Sequence, residues 1–407
     1  MPTEKLGITS PAGHELAGTL EMPTGLVRGV ALFAHCFTCT QRSRAATYIA
    51  RALSRRGIAC LRFDFTGLGS SEGEFGRAGF ATDVEDLIAA ADALHERFAD
   101  PVLLVGHSLG GAAVLAAAGR MAPERVAGIA TLGAPSDIPH VLHNIEGDLE
   151  TIERDGEGEV VIGGRAFALS KSFLDAARNA EDLLGNLAGL GQPLLILHSP
   201  TDEVVGIEHA SALFGAAKHP KSFISLHGAD HLLTRRADAE FAAGMISAWA
   251  DRYLPSEDMP ALADEGVVSV TGHGKFGTEV LTIGHRFVAD EPTSYGGDDT
   301  GPTPYDLLNA ALGTCTAMTM KMYADRKQWP LDGVRVYVTH ERDHAEDCDH
   351  VEAMKEGERL QALHRAISIY GDLDEEQRAK LMEIADKCPV HRTLEGELHV
   401  HTLEKHA

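Results

Sequence analysis

Hydrophobic and polar positions along the chain fall into two regimes. Between about residues 16 and 255, continuous apolar runs of strand length recur: VRGVALFAH, IACLRFD, PVLLVGH, VAGIATLG, PLLILHS and KSFISLHG. Runs without polar alternation are expected of strands buried on both faces of a parallel sheet. Segments of helical length, such as TYIARALSRRG and FATDVEDLIAAADALHERF, lie between them. This alternation predicts an α/β layer structure, doubly wound around a mostly parallel sheet. The stretch of about 136–190 breaks the rhythm with an acidic, glycine-containing insert between two core strands, where a helical lid over an active site fits.

The Pro- and acid-rich segment LPSEDMPALADE, residues 254–265, changes the pattern. It predicts a boundary, with one domain over 1–255, a linker over 256–265 and a second domain over 266–407. In the second, VVSV, EVLTIGHRF, VRVYVTH, AISIYG and ELHVHT read as strands, several with period-two alternation. Two helices, about 303–328 and 374–388, stand apart from them, which predicts an α+β domain.

Composition narrows the function classes. At 407 residues the chain is long for a single core. A formal charge of −24 opposes nucleic acid or an anionic membrane as partner. The N-terminus lacks a basic stretch followed by an apolar one, and no apolar run is long enough to span a bilayer. Six cysteines spread over the chain do not make a disulfide scaffold, so a cytoplasmic location is expected.

The run VLLVGHSLGGAAVLAAAG contains Gly106-His107-Ser108-Leu109-Gly110, a G-x-S-x-G elbow between a buried strand and an Ala-rich helix. Glycines two residues either side permit the strained turn that lifts the Ser108 hydroxyl to a helix N-terminus. A serine nucleophile needs a base, and the base needs an orienting carboxylate. Asp202 follows the strand PLLILHS, and His231 follows SFISLHG. Asp230 adjoins His231, but sequence neighbours rarely fold back to pair, so Asp202 is preferred. The order serine, acid, histidine, with ALFAHCFTCT upstream and RFDFTGLGSSEG (Asp64) after it, resembles the α/β-hydrolases over about 16–255. The resemblance implies a serine hydrolase with oxyanion-binding amides at Phe37 and Leu109. Cys36 stands where that family has glycine. Cys36 and Cys39 also form a C-x-x-C, read here as incidental because the segment already serves as the oxyanion turn.

In the second half, Thr303, Pro304 and Asp306 suit the N-cap, first and third positions of a helix that is apolar on nearly every face and so is expected to be buried. Cys315 lies mid-helix, and Cys388-Pro389 ends another. HRFVADEPTSYGGDDTGPTPYDLLNAALGTCTAMTM followed by CPVHRTL resembles the OsmC/Ohr family over about 265–407. That resemblance implies an intertwined homodimer in which Cys315 attacks an organic hydroperoxide and Cys388 resolves the sulfenic acid. Asp306 would take the place of a helix-start carboxylate. The hairpin arginine that supports the thiolate in that family has only Lys275, or Arg286 further on, as counterpart. His340, His344, Cys348 and His350 match no standard zinc spacing and read as a solvated strand end.

Together these readings predict a bifunctional enzyme without cofactor or metal. Its partners would be a small acyl substrate, an organic hydroperoxide, a thiol reductant and a second copy of the chain. In the alternative, the second domain is a dimerisation or ligand-binding module, or a redox switch on the hydrolase.

Overall fold

The computed structural model describes residues 2–139, 142, 145–147, 149–162, 165–179, 182–254, 266–344 and 359–404. The expected linker, 256–265, lies outside them, as do Cys348 and His350. The described chain forms two compact units: Met1–Val288 with Pro292–Thr300, and Ala289–Glu291 with Gly301–Ala407.

In the first unit, β1 (Thr3–Thr9) and β2 (Glu15–Glu21) form an antiparallel hairpin. There follow β3 (Gly29–Ala34), α1 (Arg44–Ser54), β4 (Ile58–Phe63), α2 (Phe80–Phe98), β5 (Val102–His107), α3 (Leu109–Arg120) and β6 (Val126–Leu132). An insert carries β7 (Ile145–Glu146), α4 (Leu149–Asp155), β8 (Glu157–Ile162), β9 (Arg165–Ser170), α5 (Lys171–Arg178) and α6 (Leu183–Gly189). The layer then closes with β10 (Leu194–His198), α7 (Ile207–Ala216), β11 (Lys221–Ser225) and α8 (Arg236–Ala250).

The sheet runs in the order β1-β2-β4-β3-β5-β6-β10-β11, parallel from β4 through β11. Alternation along β3 explains the layers. Val30 and Leu32 join one apolar cluster with Val84 and Leu87 of α2, Val114 of α3 and Leu213 of α7. Ala31 and Phe33 face the other way, onto Ile49 and Leu53 of α1 and Ile246 of α8. Both sheet faces are therefore covered, which is why the core strands read as unbroken apolar runs.

The insert differs from the helical lid expected there. Alongside its helices it holds a three-stranded antiparallel sheet, β7-β8-β9, and β8 alternates in burial as a half-covered strand does. The run EVLTIGHRF is likewise two strands, β13 (Thr278–Thr282) and β14 (His285–Ala289), turned at Gly284 with φ +78°. β13 pairs on its other side with β12 (Val268–Thr271), and the three, up to Val288, belong to the first unit, where buried Glu279 accepts from Leu26 N–H at 3.2 Å.

The second unit holds α9 (Pro304–Lys327), the long antiparallel pair β15 (Leu331–His344) and β16 (Arg359–Gly371), α10 (Glu375–Ala385) and α11 (Pro389–Glu395). Met320, Ala324, Leu373, Leu381 and Ala385 make its core. Contrary to expectation, α9 is not buried all round. Met318 and Met322 are 64% and 72% exposed, because β15, α10 and α11 cover only one side of it. Residues 397–402, expected as a strand, form none. No helix among the described residues is long and apolar enough to cross a membrane.

Candidate active site

β5 ends at His107 and α3 starts at Leu109, so Ser108 alone turns the chain, at φ 55° and ψ −124°. This is left-handed territory that costs a residue with a Cβ on the order of 1–3 kcal/mol. Neighbouring glycines make the turn possible. A Cβ on Gly106 would lie 2.3 Å from the Gly110 carbonyl oxygen, and one on Gly110 2.4 Å from that of His35.

His231 Nδ1–H donates to Asp202 Oδ2 at 2.7 Å, leaving Nε2 to accept from the Ser108 hydroxyl at 3.0 Å. The Val204 and Val205 amides each donate to the other Asp202 oxygen at 2.9 Å. Burial pushes the Asp202 carboxyl up, but the His231 hydrogen bond, those amides and the His231 charge outweigh it and hold the group below the ordinary range. Asp230 instead caps its own turn, accepting from Leu232 N–H at 3.0 Å and the Thr234 hydroxyl at 2.6 Å.

Two supporting residues escaped the sequence reading. His107 Nε2 sits 2.7 Å from the His231 carbonyl oxygen, which can only accept, so His107 donates and pins the His231 backbone. Burial, and then the nearby His231, lower its pKa to about 3, so it stays neutral. Gly133, just beyond β6, has φ +56°, and a Cβ there would come within 3.2 Å of Asp202 Oδ2 and 3.4 Å of His231 Nδ1. A glycine closing a buried apolar run was the available signal for it.

Phe37 and Leu109 line one narrow cleft with Phe65, Leu68, Phe75 and Asp83. The Phe37 ring contacts Phe75 and also Phe173 of the insert, so the insert helps to roof this cleft. Burial, and secondarily the charge of Asp86, raise the Asp83 carboxyl well above its usual range. The C-x-x-C spacing is not incidental in the structure: Cys36 and Cys39 are joined by a disulfide that encloses Phe37 and Thr38. Thr38, at φ 59°, folds the segment tightly enough to bring their Cα atoms within 5.2 Å. Asp64 accepts from the Gln41 backbone and side chain at 2.7 and 2.9 Å, tying the far end of the same loop to the turn after β4.

In the second unit Cys388 is fully buried at the start of α11, its Sγ 3.6 Å from the hydroxyl of Thr316, the residue after Cys315. Cys315 is half-buried, and neither thiol is in a disulfide. Arg365 of β16, which the sequence reading missed, donates to Thr316 Oγ1 at 2.9 Å and to Asp386 at 2.6 Å. It lies 49 residues from Thr316, so no local spacing signals it. Asp306 closes a reciprocal cap with Thr303. Arg286 pairs with Glu279, and the Lys275 amide donates to Asp298, all within the first unit. Among the described residues no group of three or more His, Cys, Asp and Glu is placed to hold a metal.

Residues 27–147 match a family described as serine aminopeptidase, S33, and residues 296–402 match one described as OsmC-like protein. The esterase domain of a Rhodothermus marinus protein is 45% identical, with a TM-score of 0.52, covering 62% of this chain and 99% of that one. Est1E from Butyrivibrio proteoclasticus, solved with ferulic acid, shares the fold at 22% identity and a TM-score of 0.53, over 61% of this chain and 98% of that one. The uncharacterized protein YfhR of Escherichia coli O157:H7 is 24% identical over 44% of this chain, which spans 55% of that relative's length. The chain belongs to the α/β-hydrolases, as an esterase-like unit followed by an OsmC-like domain.

Proposed function

We propose that the first unit hydrolyses an ester, thioester or amide through an acyl-enzyme on Ser108. The observation that supports this most is the unbroken run from Ser108 through His231 to Asp202. Ser108 Oγ attacks the acyl carbon while its proton passes to His231 Nε2, and Asp202 stabilises the resulting imidazolium. The amides of Phe37 and Leu109 receive the developing oxyanion. His231 then protonates the leaving group, and water repeats the cycle on the acyl-enzyme.

The second unit, in this proposal, reduces an organic hydroperoxide. The Cys315 thiolate attacks the outer peroxide oxygen, releasing an alcohol and leaving a sulfenic acid, and Cys388 displaces water from it to form a disulfide. An external dithiol then restores both thiols. Arg365, which donates to Thr316 and Asp386, takes the part of the cation that sequence reasoning sought in the hairpin. The exposed Met318 and Met322 support pairing with a second copy of the chain, and equally the reading in which this unit serves only as a dimerisation module.

One experiment tests both halves on the full chain. Ser108→Ala is expected to lower turnover of a p-nitrophenyl ester by about 10⁴-fold or more while sparing cumene hydroperoxide reduction. Cys315→Ser is expected to do the reverse. Ester turnover retained in Ser108→Ala would overturn the serine mechanism. Wild type inert toward the peroxide would leave the module reading.

A further inference from the structure

We infer that Cys36 and Cys39 are a redox-active pair that positions the oxyanion turn, so that a thiol or disulfide reactant sets the rate of acyl transfer at Ser108. The inference rests on the serine-hydrolase reading of this site and extends it.

The loop from His35 to Gln41 is anchored at both ends. At its start, the N-terminus of α3 presses so closely on the His35 carbonyl that residue 110 must be glycine. At its end, Gln41 donates to Asp64, and the Gln41 carbonyl accepts from Arg62 at 2.6 Å. The disulfide is a covalent tie across the span between these anchors, and it encloses the amide proposed to bind the oxyanion. Within the tie, Thr38 holds a left-handed backbone and Cys39 N–H donates to the Cys36 carbonyl at 3.0 Å. A β-branched residue at positive φ persists only where its surroundings impose it. Opening the ring removes one such constraint and widens the orientations open to the Phe37 amide.

The two sulfurs differ in access. Cys36 is 5% exposed, whereas Cys39 is half-buried, so an incoming thiolate meets Cys39 first. Attack on Cys39 Sγ breaks the S–S bond, and Cys36 leaves as a thiolate that takes up a proton. The second thiol of the reductant then attacks the mixed disulfide and releases Cys39. The protein gains two electrons and two protons, and the dithiol departs as its cyclic disulfide. Oxidised dithiol drives the reverse.

The test uses the full chain carrying Cys315→Ser, Cys348→Ser and Cys388→Ser, so that the second unit contributes no thiols. Samples equilibrated in buffers of reduced and oxidised dithiothreitol are alkylated under denaturing conditions, and intact mass counts the thiols. Matched samples give kcat and KM for p-nitrophenyl acetate. The expected result is a gain of two thiols accompanied by a fall in kcat of about 10- to 100-fold, no more than complete loss of one oxyanion donor produces. KM should hold within about twofold, and re-oxidation should restore kcat. Adding Cys36→Ser and Cys39→Ser should fix the low rate in every buffer. Equal kcat in the two thiol states overturns the inference, as does a thiol count that never changes. Because the pair is titrated in place, the result does not depend on any Cys36 or Cys39 variant folding. Should Ser108→Ala retain ester turnover, the serine reading itself fails, which is a distinct outcome.

Discussion

Asp202 shows how much of this chemistry rests on single atoms. Both of its oxygens are occupied, one by His231 and one by two backbone amides, and its side chain is 2% exposed. Asp202→Asn is expected to lower kcat by about 10³- to 10⁴-fold, because an amide favours the wrong histidine tautomer. Stability should follow a particular pH course. The folded pKa is depressed, so the carboxylate stabilises the fold above its unfolded value of about 3.9, and this contribution is lost as pH falls through the folded value. Urea titrations of wild type and Asp202→Asn should differ most near neutrality and converge below about pH 3.9. A constant gap down to pH 2 would show that the linkage is wrong. At this scale the sequence was informative where chemistry is local. Ser108 announced itself through glycines two residues away, and Asp202 and His231 through the strands before them. His107, Gly133 and Arg365 were hidden because what matters about them is a contact with another element far along the chain.

At the level of elements, apolar run length identified the central strands, since burial on both faces leaves no room for polar alternation. It failed at the N-terminal edge and in the insert. β1 and β2 are an antiparallel hairpin with exposed positions, and β8 and β9 alternate weakly within an acidic stretch that reads as loop. The helix α9 was legible from its cap, and its start is sharply defined. Thr303 Oγ1 accepts from Asp306 N–H at 3.0 Å while Asp306 accepts from Thr303 N–H at 2.9 Å. Thr303→Ala removes the hydroxyl that accepts from Asp306 N–H and leaves the backbone half of the cap in place. It should destabilise the second unit by about 1 kcal/mol in chemical denaturation. The ester turnover of the first unit should be unchanged, and a matching loss there would mean that the two units unfold together.

For the whole molecule, charge is the property most open to test. The excess of 60 acidic over 36 basic residues gives the chain a net negative field. An anionic ester should therefore meet a repulsive approach that salt screens. Its kcat/KM is expected to rise several-fold between low ionic strength and about 0.15 M salt, while that of a neutral ester of equal length stays flat. Parallel curves for the two esters would remove long-range charge from the account of selectivity.

The order of the chain also has a temporal side. Ser108, Asp202, His231 and every strand of the large sheet precede residue 232, and the first unit takes up its last residues by 300. At a synthesis rate of about 5–20 residues per second, residues 301–407 need roughly 5–20 s more. The esterase unit can therefore be assembled on a chain still held by the ribosome, before its companion has a sequence to fold. On the proposed function, acyl transfer begins as the property of a single nascent chain, and any coupling to the second unit comes only later.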